Sequence, residues 1–291
     1  MDLSAAGALA AGAALAAGAA ATQRRSTRDL LVKHELAVFD WLPSRLNGLR
    51  IMHISDLHAN SDKKMNLDIW PQVAAERFDI CAITGDVIIA RPKQLRPHMS
   101  SIAKLAQRLP VIYVQGNHEL DYYTEMELML GNAGVTVLGT RRISESIRPF
   151  GPVSIIGLRD LEHLEETSFD PADRLLKAND GKFNIVLCHQ PQIWDRIEDL
   201  NLGLVLSGHT HGGQIRIPGM PTLYAPGQGF FPKLGDGWIE RGKNKLYISR
   251  GIGTTYFPVR LFNRPEIAVI ELSNRAPENV AENAPEQEPK A

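Results

Sequence analysis

Eight side chains able to bind metal or move protons are gathered in short polar clusters along this chain. Asp56 and His58 lie in Asp56-Leu57-His58, and Asp86 follows Gly85. Asn117 and His118 lie in Gly116-Asn117-His118-Glu119, and His189 opens His189-Gln190-Pro191. His209 and His211 sit in Ser207-Gly208-His209-Thr210-His211-Gly212-Gly213-Gln214. Five of the nine histidines fall in this set. Imidazole, carboxylate and amide-carbonyl donors together suit a borderline first-row ion (Mn, Fe or Zn) rather than calcium or an iron–sulfur cluster. A set this large exceeds one tetrahedral ion and matches two ions bridged by a carboxylate, the standard device for hydrolysing phosphate esters. In His209-Thr210-His211 an extended backbone turns both imidazoles to one side, toward a common point.

The elements that must position these residues can be read from the apolar runs in front of each cluster. Runs at 49–55, 79–84, 110–115, 183–188 and 202–206 have the length and content of buried strands. Further strand patterns fall at 35–39, 135–138, 142–147, 153–157, 245–249 and 267–272. Helical spacing occupies 64–77 (Pro71 near its start), 93–108 (interrupted early by Pro97), 122–130 and 171–178. Strands alternating with helices, then strands with turns, predict an α/β fold with a mixed sheet or a pair of sheets. Loops at the carboxyl ends of such strands converge, so clusters placed there imply one shared site.

Those clusters in that order, D-x-H, G-D, G-N-H-E, H and G-H-x-H, resemble the calcineurin-like metallophosphoesterase superfamily over residues 49–272. The stretches His53-Ile54-Ser55-Asp56-Leu57-His58, Leu187-Cys188-His189-Gln190-Pro191, Gly208 through Pro218 and the late run Ser249 through Arg260 are similar to its bacterial YkuE/YaeI-type branch of membrane-associated phosphodiesterases. The resemblance implies a four-layer αββα sandwich of two mixed sheets flanked by helices. It also implies that Asp56, His58 and His211 hold one divalent ion, that Asn117, His189 and His209 hold a second, and that Asp86 bridges them. A hydroxide between the ions then attacks phosphorus, with His118 beside the leaving oxygen as general acid or phosphate donor. The chain departs from many relatives at Ile89, where they carry a second Asp that orients the catalytic His. That departure argues against a protein phosphatase, leaves His118 without a sequence-local partner, and points to leaving groups that need little protonation. Phosphodiesters or diphosphates are the implied substrates, with a UDP-2,3-diacylglucosamine diphosphatase of lipid A synthesis as an alternative. A non-catalytic scaffold is a remote alternative, opposed by the completeness of the ligand set.

The rest of the composition bounds the picture. The 291 residues are 44% hydrophobic and 22% charged, with net charge −1, so no nucleic-acid groove is expected. Cys81 and Cys188 fall within expected strands and read as buried thiols. Residues 3–21 carry no charge and consist almost wholly of Ala, Gly and Leu, followed by Arg24, Arg25 and Arg28. Charges placed after the apolar stretch favour an anchor within residues 1–29 that leaves the domain at the cytoplasmic face. A cleaved signal ending at Ala19-Ala20-Ala21 and an unstructured Ala/Gly tail are the alternatives. The expected phosphohydrolase domain is 30–272, and the Pro- and Glu-rich 273–291 reads as a disordered tail. His53 and Glu119 are read as packed or structural residues, Arg159 and Asp160 as candidates for the site rim. The pairs Phe230-Phe231 and Tyr256-Phe257 suggest an apolar rim for an acyl chain or a membrane surface, against a reading as loop packing.

Overall fold

The computed structural model describes residues 27–60, 66–160, 175–177, 181–197, 200–254 and 260–275, together with Gly18. Its strands and helices are β1 (Leu31–Val38), β2 (Arg50–Ile54), α1 (Trp70–Ala75), β3 (Ile80–Thr84), α2 (Arg96–Ala106), β4 (Val111–Val114) and α3 (Tyr123–Asn132). There follow β5 (Thr136–Val137), β6 (Arg141–Ile147), β7 (Gly151–Gly157), β8 (Asn184–Leu187), α4 (Trp194–Ile197) and β9 (Gly203–Ser207). The last are β10 (Tyr224–Ala225), β11 (Gly229–Phe230), β12 (Gly237–Arg241), β13 (Asn244–Ile248) and β14 (Glu266–Ser273).

Two six-stranded sheets result, ordered β1-β14-β2-β3-β4-β5 and β12-β13-β9-β8-β7-β6, with β10-β11 as a separate hairpin. Both are mixed. In the first, β2, β3 and β4 run parallel in register from Ile51↔Ile80 and Cys81↔Val111, while β14 opposes β2. In the second, β7, β8, β9 and β13 run parallel between antiparallel edges.

The near-continuous apolar runs are explained by burial on both faces. Along β2, β3 and β4, Ile51, Ile80, Ala82, Ile112 and Val114 point between the sheets, where they meet Ile155, Ile185 and Leu204. Met52, Ile54, Cys81, Ile83, Val111 and Tyr113 point the other way, under α2 and α3, against Ile102, Leu105, Met126 and Leu130. A third cluster packs Val186 and Val205 beneath Trp194 and Ile197 of α4. Each such aliphatic burial contributes roughly 1.5–3 kcal/mol. The fold is therefore the expected α/β four-layer sandwich.

Some local expectations change. Pro97 does not interrupt a helix; it occupies the first turn of α2, where its missing N–H costs nothing, after a 3-10 turn at Pro92–Leu95. The helix expected over 64–77 is the single stretch Trp70–Ala75 among the described residues. Strand β12 and the β10-β11 hairpin went unread because glycine and proline dominate that region, and β12 is held by pairing to β13. Cys188 lies one residue past β8, and both cysteines are buried and free. Apart from Gly18, the apolar stretch 3–21 lies outside the described residues, as do Tyr256-Phe257 and 276–291. Among described residues no helix is long and apolar enough to cross a membrane.

Candidate metal centre

Each polar cluster leaves the carboxyl end of a parallel strand: Asp56 and His58 after β2, Asp86 after β3, Asn117 and His118 after β4, His189 after β8, His209 and His211 after β9. Hydrogen bonds join neighbouring turns within each sheet, and the His209 N–H crosses between the sheets to the Asp56 carboxylate at 3.1 Å. The Asp56 and His58 N–H groups donate to the carbonyls of Gly85 and Asp86, and the Gly208 N–H donates to that of His189. Asp56, His58, Asp86, His209 and His211 all hold left-handed backbone, with φ between 45° and 70°. Non-glycine residues there cost about 1–2 kcal/mol each, and such strain collects at functional sites.

The side chains form two adjoining groups. In the first, the His58 and His211 Nε2 atoms are 3.1 Å apart, and His211 Nε2 is 3.4 Å from Asp56 Oδ1. In the second, His189 Nε2 is 3.1 Å from Asp86 Oδ2 and 3.1 Å from Asn117 Oδ1. His209 Nδ1 lies 3.0 Å from that same Asn117 oxygen and 3.2 Å from His189 Nε2. Asp86 Oδ2 stands between the groups, 3.7 Å from His58 Nε2. One expectation is corrected here: His209 and His211 do not face a common point. Both are left-handed rather than extended, so alternation along a strand does not apply, and each imidazole enters a different group.

The electrostatics fit cations. The Nδ1–H of His189 donates to the Thr84 carbonyl at 2.7 Å, which turns Nε2 toward Asp86, Asn117 and His209. Burial, assisted by neighbouring positive groups, pushes His58 and His209 down to about 3 and His211 well below its usual value, so their nitrogens arrive as free donors. Burial lifts the Asp56 carboxyl to about 6, although His189 opposes the rise. Burial would likewise raise Asp86, yet His189, His58 and His118 hold it well below the ordinary carboxylate range. Burial opposes the charged form of His189, but the Asp86 and Asp56 carboxylates outweigh it and raise its pKa well above normal. Neutral nitrogens of His58, His209 and His211 thus face the two carboxylates, a donor set suited to cations, one of which could replace the proton on His189.

Three supports lie around the donors. Glu119, fully buried, accepts the N–H groups of Asp86 (2.9 Å), Gly116 (3.0 Å) and Ile88 (3.1 Å) and so fixes the loop carrying Asp86. Gly208 is required by contact, since a Cβ there would fall 1.9 Å from Ser55 Oγ and 2.3 Å from Asp56 Oδ2. Arg260, fully buried, donates to the carbonyls of Gly253 and Arg250 with its guanidinium 3.3 Å from His211 Nδ1, and Asn263 donates to the His211 carbonyl at 2.6 Å. Sequence reading singled out neither role. Arg260 was visible only as part of a run similar to relatives, and Asn263 carried no signal.

His118 is more exposed than the neighbouring His58, His189 and Asp86, with Nε2 directed toward Asp86 at 3.9 Å. Its Nδ1–H donates to the main-chain carbonyl of Ile89 at 2.6 Å. The expectation that replacing Asp by Ile at 89 leaves His118 without a local partner is therefore corrected: position 89 supplies the partner through its backbone. Asp160 is buried and accepts from the Gln190 amide at 2.8 Å, bracing the loop after His189, and the Arg159 guanidinium lies 3.7 Å from the centre of the Tyr123 ring. His53 is buried behind the site on Thr84 Oγ1 at 2.8 Å.

Comparison with known proteins agrees with this arrangement. The model of the calcineurin-like phosphoesterase family matches residues 49–213. An uncharacterised metallophosphoesterase of Campylobacter jejuni is 30% identical over 247 residues, covering 80% of this chain and 62% of that protein, less than two thirds of its length. The uncharacterised metallophosphoesterase YkuE of Bacillus subtilis is 29% identical over 241 residues, covering 80% of this chain and 82% of YkuE. The phosphodiesterase YaeI of Escherichia coli is 28% identical over 249 residues, covering 83% and 87%. A family match over more than half of the chain, on a sandwich whose strand ends gather this donor set, places the protein in the calcineurin-like phosphoesterase family as a metallophosphoesterase.

Proposed function

We propose that the chain is a phosphohydrolase dependent on two divalent ions, cleaving phosphodiester or diphosphate bonds. The observation that carries this reading is Asp86 Oδ2, poised between the two donor groups at 3.1 Å from His189 and 3.7 Å from His58. Asp56, His58 and His211 would hold one ion, Asn117, His189 and His209 the other, with Asp86 shared. Such ions, when bound, acidify water to a nucleophile near neutral pH and polarise phosphoryl oxygens. The chain's part is to orient. Thr84 and Ile89 carbonyls set the tautomers of His189 and His118, and Glu119 fixes the Asp86 loop. His118 presents Nε2 toward the reacting phosphoryl group as donor to a leaving oxygen. A neutral carbonyl behind it stabilises imidazolium less than a carboxylate does, which favours leaving groups that need little protonation.

The test is hydrolysis of a bis-aryl phosphate beside an aryl monoester, by metal-stripped protein given Mn²⁺, Fe²⁺ or Zn²⁺. Diester turnover should return with metal and fall by more than ~10³-fold, about 4 kcal/mol of barrier, in Asp86→Asn. Metal uptake without turnover of either ester would favour a scaffold.

A membrane-facing form of this reading is favoured by one further observation. Seven of the nine exposed large apolar side chains among the described residues lie between Ile215 and Phe262, just after the His211 turn; Phe230 is 78% exposed and Phe231 65%. Arg264 holds Asp29 at 3.1 Å, which ties the described beginning of the chain two residues from the exposed Phe262. An apolar segment anchoring residues 1–29 at the cytoplasmic face would bring this rim, and the metal centre, to a bilayer surface and to lipid-borne phosphate esters. Phe230→Ser with Phe231→Ser should reduce turnover of a vesicle-borne lipid diphosphate while sparing the soluble diester. Equal losses on both would remove the membrane-facing form.

A further inference from the structure

A cavity of about 550 Å³ opens at the opposite end of the first sheet, among α1, α2 and the amino-terminal ends of β2, β3 and β4. Arg50 begins β2 six residues before Asp56, so this hollow lies roughly 20 Å from the metal centre along the strand. Its volume is within the range of small-molecule sites, about 300–1,000 Å³. Trp70, Val73, Phe78, Leu105, Leu109 and Phe150 give it an apolar lining.

Around that lining stand Arg50, Arg77, Lys104 and Arg108, with Glu76 and Asp79 as the carboxylates. Both carboxylates are already engaged. Glu76 binds His34 at 2.8 Å, and Asp79 accepts the Arg50 main-chain N–H at 2.8 Å. Among the described residues, no hydrogen bond or ion pair engages the side chains of Arg77, Lys104 or Arg108. Arg50 Nε is buried without a hydrogen-bond partner, 3.6 Å from Glu271. Lys104 and Arg108 are four residues apart and rise from the same side of α2 and its final turn. Unengaged cations beside an exposed apolar hollow are complementary to a ligand that is apolar along its body and anionic at its head. Guanidinium pairs select phosphate in particular, through bidentate hydrogen bonds.

We infer that this hollow binds a single-chain amphiphile with a phosphate head group. The chain lies against Trp70, Val73 and Leu105, and the phosphate is held by Arg77, Lys104 and Arg108. This site is separate from the metal centre and does not rest on the phosphohydrolase reading.

The experiment is calorimetric titration of the full, metal-loaded protein with decyl phosphate below its micellar concentration. Inorganic phosphate, decanol and decyltrimethylammonium are titrated in parallel. Saturable 1:1 binding is expected, lowered about tenfold by Arg77→Gln and by Arg108→Gln, each removing one charge-assisted contact. It should be abolished by Ala74→Trp, which fills the exposed mouth. Inorganic phosphate and decanol should each bind at least about tenfold more weakly than the whole amphiphile. Melting curves and bis-aryl phosphate turnover, unchanged in all three variants, would show that fold and metal centre are intact. Absence of saturable binding would overturn the inference. So would equal binding of the cationic amphiphile, or binding insensitive to Ala74→Trp, which would locate the phosphate at the metal centre instead.

Discussion

Strands β2, β3 and β4 end in two very different places. At their carboxyl ends five of the metal-type residues gathered there and on β9 adopt left-handed backbone, and Asp86, His118 and His189 are fixed by hydrogen bonds to the Glu119 carboxylate and to the Ile89 and Thr84 carbonyls. At their amino ends the backbone is ordinary, and the cations at Arg77, Lys104 and Arg108 stand on exposed surface over an open hollow. The same hydrophobic core supports both. Strain and buried polarity are thus tolerated at one edge because it is packed and cross-bonded, while the other edge keeps its charge in water around an open hollow. One end is built for fixed geometry, the other for an adaptable occupant.

The sharpest way to break this contrast is Gly208→Ala. A Cβ placed 1.9 Å from Ser55 Oγ must displace the Asp56 or His209 loop. Metal-dependent diester turnover should fall more than ~100-fold, about 3 kcal/mol of barrier. A folded, fully active variant would show that the carboxyl edge is not rigid. Leu105→Ala tests the other end: it should lower stability by about 2–4 kcal/mol in urea titration and leave kcat/KM per folded molecule within about twofold of the parent. An equal fall in turnover would mean the two ends are mechanically coupled.

Glu119→Gln comes next, because it turns an amide NH₂ toward N–H groups that a carboxylate accepted. A stability loss of about 1–3 kcal/mol and a metal affinity lowered about 10–100-fold are expected. Calorimetry with Mn²⁺ checks both, and unchanged affinity would reduce Glu119 to packing.

The smallest effect concerns Asp236, which lies outside the donor set and accepts from Arg216 and from Arg250 at 2.8 Å. Burial would raise its carboxyl, but the two guanidiniums hold it below the ordinary range. A depressed folded pKa stabilises above the unfolded value, about 3.9, and that stability is lost as pH falls further through the folded pKa. Asp236→Asn should therefore cost about 1–2 kcal/mol at pH 7 and progressively less below pH 4. A loss independent of pH would exclude the linkage.

Much of this was readable beforehand. Apolar runs ending in Asp56, Asp86, Asn117, His189 and His209 located the strands and the shared edge, because a strand buried on both faces must be apolar and its loop must carry the polar work. Strand β12 and the β10-β11 hairpin were not readable, since glycine and proline obscure a pairing that only the neighbouring strand decides. The hollow was equally invisible, because Arg50, Trp70, Arg108 and Phe150 are distant in sequence and unremarkable by type.

The amino-acid sequence by itself determined which residues would meet and what chemistry their types allow, since donor identity and strand-end placement are local properties. Only the tertiary structure decided how they meet. It parted His209 from His211 through left-handed turns, gave His118 its partner in the Ile89 carbonyl rather than a side chain, and set Glu119 under the Asp86 loop. Main-chain direction and backbone carbonyls are common to every residue type. No pattern of side chains records them, and they are fixed only when the two sheets pack.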